Sequence, residues 1–367
     1  MESFMNSKFN LKGARSKYHG FSEPHISIQI NKKKLKLAQE FVVDSINIDL
    51  TCEFDANFAS FSVRGVTDEK NRSFKESASN LFNLGSRIDI NIGYGEDLEK
   101  VFTGFISGIN YHLPQRGAGA IVVNCMDLKG IMMNNNNYAQ QEYKKCSDLV
   151  SNLLRKSQYS SFYNNLEVQT TPDELKFIEV TDESDYELVV RMARKINYEF
   201  FVSQDTVYFR KARSQNANET TLKFGSGLEG ADIEYNILGM VSSVEVRNTD
   251  NSTGRLISGQ ANSLATYSSN SSASKVLKSA KKIILDSTVY SQSEAQKRAE
   301  AKLEDINWGF GLANFHCIGL PELLPGRFVL VSNVFGDLDK KFYITNVAHS
   351  LQRGKFNTYV KARLNSL

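Results

Sequence analysis

The stretch Thr181 to Arg213, TDESDYELVVRMARKINYEFFVSQDTVYFRKAR, has the pattern of a helix followed by a β-hairpin. Asp182 is predicted to cap the helix, because its carboxylate can accept hydrogen bonds from the free N–H groups of the first turn. Apolar residues at helical spacing form a stripe of Tyr186, Val189, Val190, Ala193 and Ile196. Asn197 is predicted to end the helix in a left-handed conformation.

The hairpin follows directly after this helix. Tyr198 to Ser203 and Val207 to Arg210 are rich in aromatic and β-branched residues, which predicts two strands. Asp205 lies between them at the predicted turn. The stretch is therefore predicted to fold as one local helix–hairpin unit.

This unit resembles the hub proteins of contractile tails. In that family an E-S-D segment opens a helix that contains a basic residue, and an aromatic strand, a turn and a V-Y-F strand follow. The resemblance is carried by Glu183, Ser184, Asp185, Arg191, Tyr198, Phe200, Phe201, Val207, Tyr208 and Phe209. The family usually has glycine where this chain has Asn197, and both residues tolerate a left-handed backbone.

Length and composition restrict the class of protein. The chain has 367 residues, enough for two or three domains, and a formal net charge of +3. This balance argues against sequence-specific nucleic acid as a partner. Residues 1–20 lack the apolar core of a secretory signal, and no apolar run approaches the roughly 20 residues of a membrane span. The four cysteines are scattered, so reduced cysteines made in a bacterial cytoplasm are expected.

The first third is predicted to be β-structure. Residues 1–20 are polar and basic and are predicted to form a flexible arm. Residues 21–130 contain short alternating segments bounded by Gly, Asn, Asp or Pro, which predicts an antiparallel β-domain, either a barrel or a sandwich. Its strands include glycines, which usually mark bulges or bends.

A second patch of this β-domain resembles the hub family. A glycine-flanked strand that ends in G-Y-G precedes an F-T-G strand in both. The matching residues are Gly85, Gly93, Tyr94, Gly95, Phe102, Thr103, Gly104 and Ile106. A phosphate-binding loop is a weaker interpretation of G-Y-G, because the helix and lysine that such a loop needs do not follow.

The remaining chain is predicted to form two further domains. Residues 131–213 are interpreted as a small α/β domain, in which Ser147 caps a helix that runs to about Ser157. Residues 214–367 are predicted to form a second β-domain, which the resemblance to the hub family implies to be a tube-like β-barrel. Within it, residues 248–274 are rich in Ser, Asn, Thr and Gly and predict a mobile polar loop, and residues 293–306 predict a helix.

A third patch near the C-terminus also resembles the hub family. It contains a G-x-P-x-L-x-P-G-x-x-V segment, a Y-x-V-x-x-V-x-H-like strand and a final strand. The matching residues are Gly319, Pro321, Leu323, Pro325, Gly326, Val329, Tyr343, Ile344, Val347, His349, Thr358, Tyr359 and Val360. The three patches lie in the family's order across residues 84–364.

No catalytic, cofactor-binding or metal-binding residue is predicted. Asp182, Glu183 and Asp185 suit the start of a helix better than an acid–base pair. His316 and Cys317 are neighbours on a predicted strand, so they point to opposite faces. His349 is interpreted as a hydrogen-bonded structural histidine.

The resemblance implies a fold and a role. The fold would be mainly β, with two tail-tube-like β-barrels and a small α/β domain between them. The role would be that of a baseplate hub, a homotrimeric ring that adapts a sixfold tail tube to a threefold central spike without catalysing a reaction. The implied partners are a tail tube protein, a central spike protein and other baseplate subunits, with a tape measure protein as a further candidate. The chain would assemble into a phage tail or an extracellular tail-like particle.

Alternatives remain open at this point. A tail-associated cell-wall hydrolase and a generic two-domain β-binding module are the other hypotheses. The parent particle could be a phage, a phage-tail bacteriocin or another injection device. Because the last predicted strand ends near Leu367 and no short-period needle repeat is present, the spike is expected to be a separate polypeptide.

Overall fold

The structure is a computed structural model, and it describes most of the chain. The described residues are 9–35, 41–68, 70–71, 73–75, 82–115, 118–136, 145–171, 183–214, 220–250, 252–263 and 271–365. No helix among them has the length and apolar character that a membrane span requires.

Strands dominate the described chain. In chain order they are β1 Phe9–Asn10, β2 Pro24–Ile30, β3 Lys33–Lys34, β4 Val42–Thr51, β5 Phe58–Arg64, β6 Thr67–Asp68, β7 Ser73–Phe74, β8 Arg87–Tyr94, β9 Asp97–His112, β10 Ala120–Met126, β11 Asn165–Val168, β12 Tyr198–Ser203, β13 Thr206–Lys211, β14 Thr220–Phe224, β15 Gly227–Tyr235, β16 Ser243–Thr249, β17 Leu256–Asn262, β18 Lys281–Leu285, β19 Gly311–Ile318, β20 Phe328–Ser332, β21 Lys341–Gln352 and β22 Lys355–Leu364. The helices are α1 Leu11–Lys17, α2 Leu128–Met132, α3 Cys146–Leu154, α4 Ser157–Ser160, α5 Asp185–Lys195, α6 Ser271–Leu277 and α7 Gln292–Asn307, with a 3-10 turn at Gly336–Leu338.

Six strands of the C-terminal half close into a barrel. Strand pairing runs from β14 to β15, β19, β22, β21 and β20, and β20 pairs back onto β14. Closure leaves no free edge on this ring. The alternating burial of β19 and β22 follows from the two faces of each strand, one toward the barrel interior and one outward.

The barrel continues into the N-terminal sheet without a break. Strand β21 pairs antiparallel with β4, from Asn346 opposite Thr51 to Gln352 opposite Ser45. Beyond β4 the order is β5, β10, β9, β8, β2 and β3. One hydrophobic core contains buried residues of both halves, such as Ile48 and Val347. The prediction of a mainly β protein with an α/β insertion is confirmed.

Two smaller units pack beside this sheet. In the first, the sheet β11–β13–β12 packs with α2, α3, α4 and α5 around a separate core. In the second, the sheet β17–β16–β18 is covered by α7. This second unit interrupts the barrel between β15 and β19. The predicted helix at residues 293–306 is confirmed as α7.

The prediction of a flexible arm over residues 1–20 is wrong for residues 9–20. Strand β1 pairs in parallel with β14, and α1 follows it. Tyr18 is fully buried, and its ring packs against Phe21 and Tyr94. The polar composition of this segment did not reveal its packing, because contacts of only a few aromatic side chains hold it in place. Residues 1–8 lie outside the described residues.

The prediction of a polar loop over residues 248–274 is also wrong in part. Strand β17 occupies its middle and pairs antiparallel with β16, and α6 begins at Ser271. Ile257 and Ala261 pack onto the α7 side of the sheet, whereas Gln260 is exposed. Polar residues on the exposed face lowered the average hydrophobicity without removing the strand alternation. Residues 251 and 264–270 lie outside the described residues.

Two predicted helix starts need correction. Ser184 rather than Asp182 caps α5, and Asp182 lies outside the described residues. Ser147 lies inside α3, whose preceding residue Lys145 supplies no side-chain cap, and the helix ends at Leu154. A cap depends on the backbone geometry of one residue, which composition does not reveal.

Candidate functional site at the junction of hairpin and barrel

A buried group of polar side chains joins the β12–β13 hairpin to the barrel. The Glu199 carboxylate accepts a hydrogen bond from Arg210 Nε at 2.6 Å and another from the Tyr343 hydroxyl at 2.6 Å. Arg210 Nη2 also donates to the Gly326 carbonyl at 2.6 Å. Because each charge has a partner at short range, the group can be buried at an acceptable cost. The hairpin is thereby attached to β21 and to the turn before β20.

Gly326 meets two demands that only glycine satisfies at this turn. Its φ of +81° lies in the left-handed region, and a Cβ there would approach Phe201 Cζ to 2.8 Å. Phe201 stacks on Tyr208, with ring centroids 5.0 Å apart. The Pro325–Gly326 pair of the hub-like motif therefore lies directly against the hairpin, and Pro325 is buried.

The E-S-D segment builds the start of α5. Ser184 accepts a hydrogen bond from the Glu187 backbone, and the Glu187 carboxylate accepts one from the Ser184 backbone at 2.7 Å. The Asp185 carboxylate accepts a 2.5 Å hydrogen bond from the Tyr159 hydroxyl. Glu183 forms an ion pair with Arg191. These carboxylates are engaged in helix capping and packing, as their position at a helix start predicts.

The G-Y-G motif connects the two halves of the sheet. Gly93 and Tyr94 end β8, and Gly95 turns the chain with a φ of +55°. The Tyr94 hydroxyl donates to the Gly319 carbonyl at 2.9 Å, and burial raises the pKa of Tyr94. Tyr94 therefore bridges two of the hub-like patches.

The F-T-G motif lies in β9, and the same strand contacts the small α/β unit through a charged residue near the motif. Phe102 is buried in the main core, and Gly104 pairs opposite Ile88. The Thr103 hydroxyl donates to Asp89 at 2.7 Å. Nearby, Lys100 forms an ion pair with Asp205 of the hairpin turn at 3.0 Å. The strand thus contributes both to the core and to the docking of the hairpin.

His349 is a buried structural histidine. Its Nδ1 lies 3.0 Å from the Thr358 hydroxyl oxygen, which accepts a hydrogen bond from the Leu320 N–H. Burial lowers the pKa of His349 to about 3, so the ring is neutral near pH 7. His316 stacks on Tyr359 at the surface, whereas its neighbour Cys317 is buried. Within the described part of the chain, no three His, Cys, Asp or Glu side chains form a group that could hold a metal ion.

Sequence reasoning missed a second buried network beneath α1. The Tyr18 hydroxyl donates to the Glu322 carboxylate at 2.5 Å, and Lys17 forms ion pairs with Glu322 and Glu99. Arg327 donates to the Glu322 carbonyl at 3.3 Å. Burial raises the pKa of Glu322. A signal was present, since Glu322 and Arg327 are charged residues inside the otherwise apolar and glycine-rich hub motif.

A cleft of about 1090 Å³ opens beside the junction. Its walls are α5, the β4–β5 loop, α7 and the outer ends of β21 and β22. Seven acidic and seven basic side chains line it. Arg213, which follows β13, is among the residues that line the cleft. Its Cζ lies over the Trp308 ring, 5.4 Å from the ring centroid. A mixed lining of this kind suits contacts with a polypeptide better than with an apolar small molecule.

Comparisons with solved structures show the fold. The chain is similar to the 43 kDa tail protein of prophage MuSo2 from Shewanella oneidensis, with 14% identity, a TM-score of 0.71 and coverage of 93% of this chain and 98% of that chain. A tail protein from Neisseria meningitidis MC58 matches with 14% identity, a TM-score of 0.70 and coverage of 94% and 97%. The E. coli c3393 protein, a type VI secretion component described as similar to T4 tail proteins gp27 and gp5, matches with 12% identity, a TM-score of 0.59 and coverage of 91% and 76%.

These likenesses confirm the resemblance to tail hub proteins at the level of fold. Among curated proteins, none matches the sequence. The family model described as the Alg8 N-terminal domain matches residues 23–353, which is most of the chain. The chain therefore belongs to the Alg8 N-terminal domain family.

Proposed function

We propose that this protein is a structural hub of a contractile tail or tail-like injection particle, in which three copies form a ring between a sixfold tail tube and a threefold central spike. The observation that carries the proposal is the continuous sheet formed by the closed barrel and the N-terminal strands. On this proposal each chain contributes two tube-like β-units, so a trimer has six of them, which suits both the threefold and the sixfold symmetry. Closed cyclic assembly is also the usual way to build a ring from one chain.

The overlap with tail proteins supports this role, because it covers nearly the whole of both chains. On this proposal, residues 21–130 and 214–367 are the two tube-like domains, and residues 131–213 are the α/β domain between them. The role is mechanical, and no reaction is catalysed. The partners are a tail tube protein, the central spike, other baseplate subunits and a tape measure protein, and assembly follows synthesis in a bacterial cytoplasm.

Co-expression with the tube and spike subunits of the same gene cluster tests this function. We expect a complex that contains three copies of this chain and three of the spike, measured by light scattering and seen as a ring in electron micrographs. An interface of roughly 2,000 Å² or more is expected for an obligate assembly. A chain that stays monomeric at all concentrations and with the spike present would contradict the proposal. Peptidoglycan zymography tests the alternative of a cell-wall hydrolase, and a clear lytic band would favour it.

A further inference from the structure

One ammonium group in the cleft has no ionic partner. Lys195 lies in the last turn of α5 and lines the cleft. The carboxylates around it are already engaged: Glu183 pairs with Arg191, Asp286 and Glu294 pair with Arg298, and Glu53 pairs with Arg363. Among the described residues, none forms a hydrogen bond or an ion pair with the Lys195 ammonium.

The surroundings of Lys195 are unfavourable for a lone cation. Burial lowers the pKa of Lys195, and the nearby guanidinium groups of Arg298 and Arg191 lower it further, whereas the carboxylates of Asp286 and Glu294 raise it but are themselves paired with Arg298. A partly buried cation beside two others is costly unless an anion approaches it. The free chain therefore holds a position where an added negative charge would be stabilised.

Two further donors on the same wall lack acceptors. Asn197 Nδ2 and Arg213 Nε are buried, and neither has a hydrogen-bond partner. They are adjacent, because Arg213 Nη2 donates to Asn197 Oδ1 at 2.9 Å, while Nη1 of the same guanidinium pairs with Asp305 at 3.8 Å. A buried donor without an acceptor is unusual and costs free energy. Three donor groups without acceptors, all on residues that line the cleft, point to a ligand that supplies acceptor oxygens.

We propose that the cleft binds a carboxylate side chain of a polypeptide partner, with Lys195 as its main contact and Asn197 and Arg213 as further donors. A carboxylate offers several acceptor sites and a negative charge that can pair with the Lys195 ammonium. The volume and the mixed charge of the remaining lining favour a chain segment that carries its own donors and acceptors. The identity of the partner as a tail subunit rests on the proposed function, whereas the carboxylate site itself does not.

Thermal unfolding of the full chain with two probes tests the site. The probes are sodium glutarate and the blocked tripeptide acetyl-Gly-Glu-Gly-amide, each compared with sodium chloride at equal ionic strength. We expect both probes to raise the Tm of the wild type, and the peptide to bind more tightly than glutarate. Lys195→Met should weaken both affinities by about tenfold or more, the expected loss of one charge-assisted hydrogen bond.

Matched variants make the result specific. Lys302→Met removes a lysine of the same cleft that is paired with Asp305; because Asp305 keeps Arg213 as a second partner, this variant should keep the response to both probes. Lys195→Arg keeps the positive charge, so both probes should also raise the Tm of this variant. In the absence of probe, Lys195→Met should unfold at a Tm no lower than the wild type, since it removes an unpaired cation. An undiminished response in Lys195→Met would overturn the site, and a preference for glutarate over the peptide would overturn the polypeptide ligand. Neither result alters the co-expression test of the hub.

Discussion

At the residue scale, Glu199 is the group on which the junction between hairpin and barrel depends. Its carboxylate partners both Arg210 and Tyr343, and all three side chains are buried. Glu199→Ala would remove the carboxylate that pairs with the buried Arg210 guanidinium, while the contact of Arg210 Nη2 with the Gly326 carbonyl would remain. We expect the free energy of unfolding to fall by about 3–5 kcal/mol, the usual effect of breaking a buried ion pair, measured by denaturant titration.

Glu300→Ala is the matched control for Glu199→Ala. Glu300 is exposed on α7, and its carboxylate accepts a hydrogen bond from Gln296. Its replacement should change the free energy of unfolding by no more than about 0.5 kcal/mol. Equal losses in the two variants would show that the junction does not depend on the buried ion pair.

His349 makes stability depend on pH. The folded-state pKa of about 3 lies below the ordinary value of 6.5, so at intermediate pH the unfolded chain binds a proton that the folded chain does not. The contribution is fully present above pH 6.5 and is lost as the pH falls toward 3. At pH 5 this residue should reduce the free energy of unfolding by about 2 kcal/mol relative to pH 7.

Urea unfolding at pH 7 and pH 5 measures this effect. The difference between the two pH values should be smaller in His349→Gln than in the wild type. His316→Gln is the control, because that ring is partly exposed and stacks on Tyr359 at the surface. A pH dependence that is unchanged in His349→Gln would contradict the role of this histidine.

At the element scale, β17 depends on its close approach to α7. A Cβ on Gly259 would lie 2.1 Å from the Gln296 backbone nitrogen, so no side chain fits between strand and helix. Gly259→Ala should destabilise the β16–β17–β18 unit by at least about 1–3 kcal/mol, the usual cost of overpacking. Limited trypsin digestion should then cut faster after the exposed Arg255 than in the wild type.

Gly108→Ala is the control for this prediction. It adds the same methyl group to another strand, where the nearest atom to the new Cβ would be Asn124 Nδ2 at 3.6 Å. Its digestion pattern should match that of the wild type. If Gly259→Ala is digested at the wild-type rate, then β17 does not pack on α7 as described.

At the scale of the whole molecule, the continuous sheet should make the two halves unfold together. The β21–β4 pairing and the shared core join apolar side chains of both halves. Trp308 is the only tryptophan, and it lies between the barrel and the hairpin. Its fluorescence and the far-UV circular dichroism should therefore report one transition with the same midpoint. Two separated midpoints would mean that the halves are independent domains.

The local patterns of the sequence were sufficient for much of the fold. The helix–hairpin unit, the alternating strands and the helix at residues 293–306 follow from periodicities of 3.6 and 2 residues, which are carried by neighbours in the chain. The predicted left-handed conformation of Asn197 at the end of the helix is confirmed for the same reason, with a φ of 53°. The hub-like motifs also contain Ser184, which caps α5, and Gly326, which lies against the hairpin.

Only the tertiary structure decided which distant segments meet. The pairing of β21 with β4, the burial of Tyr18 and the Glu199–Arg210–Tyr343 group each join residues far apart in the chain. The same holds for β17, whose polar outer face made it look like a loop, and for the cleft around Lys195. A strand's partner and a charge's neighbours are set by the packing of the whole chain, because burial and ion pairing depend on distances in space and not on separation in sequence.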